Sequence, residues 1–175
     1  MSSAPTLTYE QMMALFLKTQ KQMKATDKKI SALGSRIGEI VESMVKGNIV
    51  EQFRALDYDV VEYSQHKKFE NKKLGICGEI DLFLEDGDVA ILIEVKTTLE
   101  TKDVHKHIER LEQYRRFTDA KGGGRQRRFV GAVAGAVVTD EAANFAQENG
   151  LYVVVQSGKA VEIITSPEGF SAKEW

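Results

Sequence analysis

Through the first fifty residues, apolar side chains return with a seven-residue period. Tyr9, Phe16, Met23, Ile30, Ile37 and Met44 form one set, and Met12, Thr19, Thr26, Leu33 and Ile40 fill the positions three later. A heptad of this kind predicts an amphipathic helix whose seam needs a partner, and the seam is weakest where the threonines fall. Two arrangements satisfy it: a dimerising coiled coil, or a long helix folded back on its own domain. A second stripe, offset from the first, joins Glu42, Val45, Ile49, Phe53 and Leu56. It predicts a helix over 35–56 that lies on a sheet, with Gly47–Asn48 as its weak point.

Beyond this the period changes. Residues 58–63 (YDVVEY) predict a strand, followed by a polar linker, and 78–85 and 88–98 alternate with period two like a hairpin. A helix over 101–117 turns Val104, Ile108 and Leu111 inward. A strand over 129–138 carries the small residues of close packing, a short helix over 141–148 starts at a Thr139 or Asp140 cap, and strands over 151–155 and 160–165 close the chain. The order predicts an α/β fold with a mixed central sheet flanked by helices. It divides into an N-terminal helical extension (1–34), a domain (35–166) and a tail (167–175) that needs an anchor to be ordered.

The hairpin sets charge against apolarity. Taking Asp86–Gly87 as its two-residue loop pairs Glu85 with Asp88, Leu84 with Val89, Leu82 with Ile91, Asp81 with Leu92 and Glu79 with Glu94. One face is then wholly apolar: Ile80, Leu82, Leu84, Val89, Ile91, Ile93 and Val95. The other is apolar near the turn (Phe83, Ala90, Leu92) and ionic further away (Asp81, Glu79, Glu94, Lys96). That lengthwise division predicts a cleft at the edge of a covered sheet rather than a solvated face. Asp81 and Glu94 become diagonal neighbours roughly 7–8 Å apart, close enough to converge on one cation. Carboxylates so placed need a positive partner or a raised pKa. Lys96 is one partner, and a divalent ion preferring oxygen ligands, Mg2+ or Mn2+, is the other.

Composition narrows the setting. The chain has 175 residues, is 42% hydrophobic and 29% charged, and carries a formal net charge of -2. Nothing in the overall balance marks a nucleic-acid binder, so such contacts must be local. The single cysteine, Cys77, excludes an internal disulfide and fits a reducing compartment. No apolar run approaches the ~20 residues of a membrane span, and no signal segment follows Met1, so a cytoplasmic protein without membrane contact is expected.

An acidic residue on one strand, a turn, then Glu-x-Lys on the next resembles the signature of the PD-(D/E)XK nuclease superfamily. Here it reads Asp81, then Glu94–Val95–Lys96, within GEIDL and IEVKT. The string resembles the small prokaryotic branch that includes archaeal Holliday-junction resolvases and endonuclease-like families of unassigned role. Ile80 stands where the proline of the signature would be. The resemblance implies a restriction-endonuclease-like sheet and metal-dependent hydrolysis of phosphodiesters in DNA, with RNA left open. It implies that Asp81, Glu94 and the Val95 carbonyl bind Mg2+ or Mn2+, and that Lys96 positions or helps deprotonate the attacking water. A glutamate from the first helix often joins such sites. Glu42 is the candidate, with an exposed stripe edge as the plain alternative, and Glu79 is an auxiliary candidate. The alternative function is an inactive nuclease-fold module that binds nucleic acid or protein through its coiled coil and basic loop.

That loop, KGGGRQRR, places Arg125, Arg127 and Arg128 beside three glycines. It either grips phosphates or is an ordinary solvated loop. His105 and His107 do not converge from a helix and predict surface or packing roles. Cys77 predicts a buried thiol.

Overall fold

The computed structural model describes residues 8–122, 127–158 and 160–175. Its elements are α1 (Tyr9–Arg54), β1 (Glu62–Asn71), β2 (Ile76–Asp86), β3 (Val89–Leu99), α2 (Thr101–Ala120), β4 (Arg128–Val138), α3 (Asp140–Glu148), β5 (Tyr152–Ser157) and β6 (Ala160–Ile163). The chain forms two compact units, Met1–Ile37 and Gly38–Trp175. In the first, the described residues are helical from Tyr9 and all exposed as far as Ser35; Tyr9, Phe16, Met23 and Ile30 are 72%, 58%, 62% and 63% exposed. No described helix is long and apolar enough to cross a membrane. The helix runs unbroken through Gly47–Asn48, so those residues do not split it.

The second unit is a six-stranded mixed sheet in the order β1-β2-β3-β4-β5-β6. β1–β2–β3 and β5–β6 pair antiparallel, and β3–β4–β5 pair parallel. The parallel strands require crossovers, which α2 and α3 supply. The fold is therefore α/β with a mixed sheet. Val104, Leu111, Tyr114 and Phe117 of α2 and Ala142 and Ala146 of α3 pack with Phe83, Ala90, Leu92 and Val133 on one side. On the other, Ile49 and Phe53 from the end of α1 pack with Leu82, Leu84, Ile91, Ile93 and Ala132. Phe53 is fully buried and meets Tyr58 and Tyr152 edge to face, with ring centroids 5.8 and 5.5 Å away. Gly131 explains how closely α2 approaches β4: a Cβ there would lie 2.6 Å from Leu111 Cδ1.

Several sequence expectations shift. β1 begins at Glu62 and occupies what reads as polar linker; it is an edge strand whose less exposed positions, Gln65, Lys67, Phe69 and Asn71, are polar except for Phe69, so its burial alternates without an apolar pattern to betray it. Leu56 falls beyond the end of α1 and is 41% exposed. Cys77 is exposed rather than buried. The hairpin register differs by two residues: Leu82 faces Ile93, Leu84 faces Ile91 and Asp86 faces Val89. The loop is thus Gly87–Asp88. Gly87 has φ 49° while Asp88 stays out of the left-handed region, and a turn with one such residue, in first place, is met by Gly-x. A shift of two preserves the faces near the turn. Ile80 is the exception, since it packs in the α2 layer with Phe83 and not with Leu82. The tail is anchored: Glu174 bridges Val130, and the Trp175 N–H donates to the Phe129 carbonyl at 2.9 Å.

Phe53→Ala is expected to cost about 3–5 kcal/mol, because a fully buried aromatic leaves a cavity as well as losing burial. Denaturant unfolding measures it, and a loss below about 1 kcal/mol would show that the end of α1 is not part of this core.

Candidate functional site

The β2·β3 ladder ends at Leu82↔Ile93, although both strands continue. The next residues are Asp81 and Glu94. In place of a ladder bond, the Val95 N–H donates to Asp81 Oδ2 at 2.8 Å. The β1·β2 ladder also skips one step here, between Gln65↔Leu82 and Lys67↔Ile80, where His66 has φ 50°. Asp81 therefore lies at a gap in the pairing on both sides, and a side chain takes over hydrogen bonding that backbone performs elsewhere. Glu79 does not face Glu94 as the expected register had it. Its Oε1 is 2.8 Å from His66 Nδ1 and its Oε2 3.9 Å from Lys68 Nζ.

Glu94 is 3% exposed, the most buried carboxylate of the site. A carboxylate at such burial is tolerable only when paired. Lys96 Nζ lies 2.7 Å from Oε1, and Arg110 Nη1 is hydrogen-bonded to Oε2. Both oxygens are thus engaged by cations. Lys96 follows from the period-two register. Arg110 comes from α2, whose start is fixed just past β3 by a capping box between Glu100 and Asp103, with the Glu100 N–H donating to Asp103 Oδ2 at 3.0 Å. One and two turns on, His107 and Arg110 are delivered to the strands beneath. His107 is buried, with Nε2 3.0 Å from the Leu92 carbonyl oxygen and no hydrogen-bond partner at Nδ1.

The electrostatics follow from this crowding. Burial and the neighbouring Glu94 push Asp81 up to about 6, despite the Val95 N–H, Lys96 and Arg110 acting the other way. Burial works against the Lys96 ammonium, but the hydrogen bond and charge of Glu94 outweigh it and hold Lys96 above its ordinary value. Burial pushes His107 down to about 4, so its imidazole is neutral at physiological pH.

The residues singled out in the sequence are distributed unequally. Asp81, Glu94, Val95 and Lys96 come together, with Glu79 beside Asp81. His66, Glu79 and Asp81 each offer a ligand atom within 4.8 Å of the others. The Glu42 side chain and all of Arg125 lie outside the described residues. Arg127 and Arg128 are not brought to this end. Arg128 pairs with Val89 across β3·β4 whereas Lys96 pairs with Gly135, which places the arginines about 20 Å away along the strand. There Arg127 is 2.9 Å from Glu85, and Arg128 is 2.9 Å from Glu174 and 3.4 Å from Asp88. Arg110 was not singled out. Its signal is its spacing: it continues the Asp103–His107 side of α2, one residue before the buried Leu111.

The donor set suits a hard divalent cation: two carboxylates, one of them raised by burial and by the charge of the other, beside the backbone of Val95. Each Glu94 oxygen already has a cationic partner, whereas Asp81 has one oxygen not used by Val95.

No protein-family model matches the chain, and no curated protein does. Solved structures similar to it include a protein of unknown function, AF1548, at 15% identity and TM-score 0.45 over 75% of this chain and 62% of that one. They also include an EndoMS–dsDNA complex at 18% identity and TM-score 0.37, over 61% of this chain and 44% of that one. A repair endonuclease from Pyrococcus abyssi matches at 17% identity and TM-score 0.33, over 72% of this chain and 47% of that one. The chain spans less than two thirds of the length of each of these structures, and each likeness is partial.

Proposed function

We propose that the chain hydrolyses phosphodiester bonds in DNA, using a divalent cation, Mg2+ or Mn2+, held by Asp81, Glu94 and the Val95 carbonyl. One observation carries this: Asp81 and Glu94 meet where the β2·β3 ladder stops, with Lys96 Nζ 2.7 Å from Glu94. When bound, such a cation polarises a phosphoryl oxygen and makes a coordinated water a better nucleophile. The chain's own groups do the rest. Asp81 is oriented by the Val95 N–H. Lys96, kept charged at neutral pH by Glu94, is a donor and not a base; it orients a water or a phosphoryl oxygen and offsets negative charge gathering on phosphorus. Glu79, carried on the same strand as Asp81, is an auxiliary ligand.

A second reading has its own support. Because Lys96 and Arg110 already satisfy Glu94, the site is stable without a metal, as in a nuclease-fold module that only binds nucleic acid or protein. Nicking of supercoiled plasmid in Mg2+ or Mn2+ separates the two. Under the first reading Asp81→Ala and Lys96→Ala lower the rate at least about 100-fold. Full activity in either variant would show the site misassigned, and no activity in the wild type, with no cation binding by calorimetry, would leave the module.

The pH dependence has a definite sign. Asp81 has a folded value of about 6 against 3.8 unfolded, so its contribution to stability is complete below 3.8 and is lost as pH rises through 6. Without metal, Asp81→Asn is therefore expected to melt at or above the wild-type temperature at pH 8, the gap closing toward pH 4. Cation affinity of the wild type falls by up to about tenfold per pH unit below 6, as protons compete for the carboxylate. Thermal unfolding across pH, with and without Mn2+, reads both; an Asn variant much less stable than wild type at pH 8 would contradict the burial of a repelled charge.

The exposed heptad positions of α1 support a homodimer formed through that helix. Light scattering is expected to give twice the chain mass, and Phe16→Glu with Ile30→Glu to give a monomer with unchanged nuclease-domain stability. A monomeric wild type contradicts it.

A further inference from the structure

Arg110 poses a problem for any cation at this site. Its guanidinium holds Glu94 Oε2 while Lys96 holds Oε1, so each oxygen of the acid already has a cationic partner. Each oxygen keeps a further lone pair, but a divalent ion bound at Glu94 would stand against both cations at close range. Lys96 is carried by β3 itself, two residues from Glu94, and β3 is held in register with β4 from Glu94↔Val133 to Lys96↔Gly135. Arg110 comes from the facing helix on a long side chain and is 24% exposed against 40% for Lys96, so both reach solvent, and what sets Arg110 apart is that it is tethered to a separate element. Two positive groups also cannot share one carboxylate with a dication cheaply, and the partner that can leave is the one expelled. Once released, a guanidinium offers a planar fork of donors that matches phosphate oxygens. It would be released beside the point where a phosphodiester must lie.

Resting on the metal-site reading above, we propose that Arg110 is an exchangeable counter-ion: it caps Glu94 in the metal-free protein, yields Glu94 to the incoming divalent cation, and then binds a phosphate of the nucleic-acid substrate. Cation binding and phosphate binding are thereby coupled through one side chain. The cleft keeps its charge balance in both states, since Arg110 answers Glu94 when the metal is absent and the substrate when it is present.

The test uses the full chain with Arg110→Gln, which removes the charge, and Arg110→Lys, which keeps it without the fork. Circular dichroism verifies folding. Mn2+ titration by calorimetry is expected to show roughly tenfold tighter binding in Arg110→Gln, because a competitor and a like charge are gone, and near wild-type binding in Arg110→Lys. Anisotropy of a fluorescein-labelled DNA duplex in Ca2+ is expected to show the opposite for substrate. Arg110→Gln binds several-fold more weakly, and its dependence of log affinity on log salt is shallower by about one phosphate contact than that of wild type. Without divalent cation the two proteins bind the duplex alike. Unchanged or weaker Mn2+ binding in Arg110→Gln overturns the proposal and makes Arg110 a fixed structural partner of Glu94. Should Arg110→Gln misfold, Arg110→Lys decides: near wild-type Mn2+ binding and salt slope with a weaker duplex affinity in Ca2+ are expected, and a duplex affinity equal to wild type, or weakened Mn2+ binding, would overturn it. A wild type that binds no Mn2+ through Asp81 and Glu94 fails the metal-site reading itself, a result distinct from either outcome in the variants.

Discussion

The structure turns on a ladder that stops early. β2 and β3 are hydrogen-bonded from the turn as far as Leu82↔Ile93, and there the Asp81 carboxylate takes the Val95 N–H. A backbone donor in a half-buried position must find an acceptor. Using a side chain for that purpose fixes the carboxylate rigidly, since moving it would orphan the amide. The same substitution leaves room beside the strands, and Glu94 and Lys96 occupy it. Position, burial and charge of the site all follow from this one exchange of partners.

Burial then sets the electrostatic problem that the neighbours solve. Glu94 is nearly inaccessible, and Asp81 is pushed up to about 6 by burial and by Glu94. Lys96 and Arg110 answer Glu94 from two different elements, one from the same strand and one from α2. The α2 capping box matters for this reason: it determines which helical face meets β3, and so which residue reaches the acid. His107 is held neutral in the same layer and bonds the Leu92 carbonyl, adding no charge to an already crowded site.

Much of this was legible in the sequence, and the failures have physical causes. Period-two alternation in 78–85 and 88–98 located the hairpin and its two faces, because parity survives a register shift of two. The register itself was misjudged because Asp-Gly and Gly-Asp both describe plausible loops; Gly87 takes a positive φ in either, and the pairing of Asp86 with Val89, with no positive φ at Asp86, distinguishes them. β1 was missed because an edge strand exposed over most of its length carries little apolar alternation. Ile80 changed layers because pleat counting assumes continuous pairing, which fails at His66 and Asp81. Arg110 was overlooked because a cation on a helix reads as solvent-facing until its target on another element is known. The basic residues 127 and 128 follow a run of glycines in sequence, but the start of β4 sets them at the turn end, where Glu85, Asp88 and Glu174 hold them.

In the proposed site, Asp81 and Glu94 hold a cation guarded by basic side chains. Crystals of the wild-type protein grown with Mn2+ and measured at the manganese absorption edge test it most directly. One anomalous peak bonded to Asp81, Glu94 and the Val95 carbonyl is expected, with the Arg110 guanidinium withdrawn from Glu94. An intact Arg110–Glu94 pair with no peak at Asp81 would contradict it.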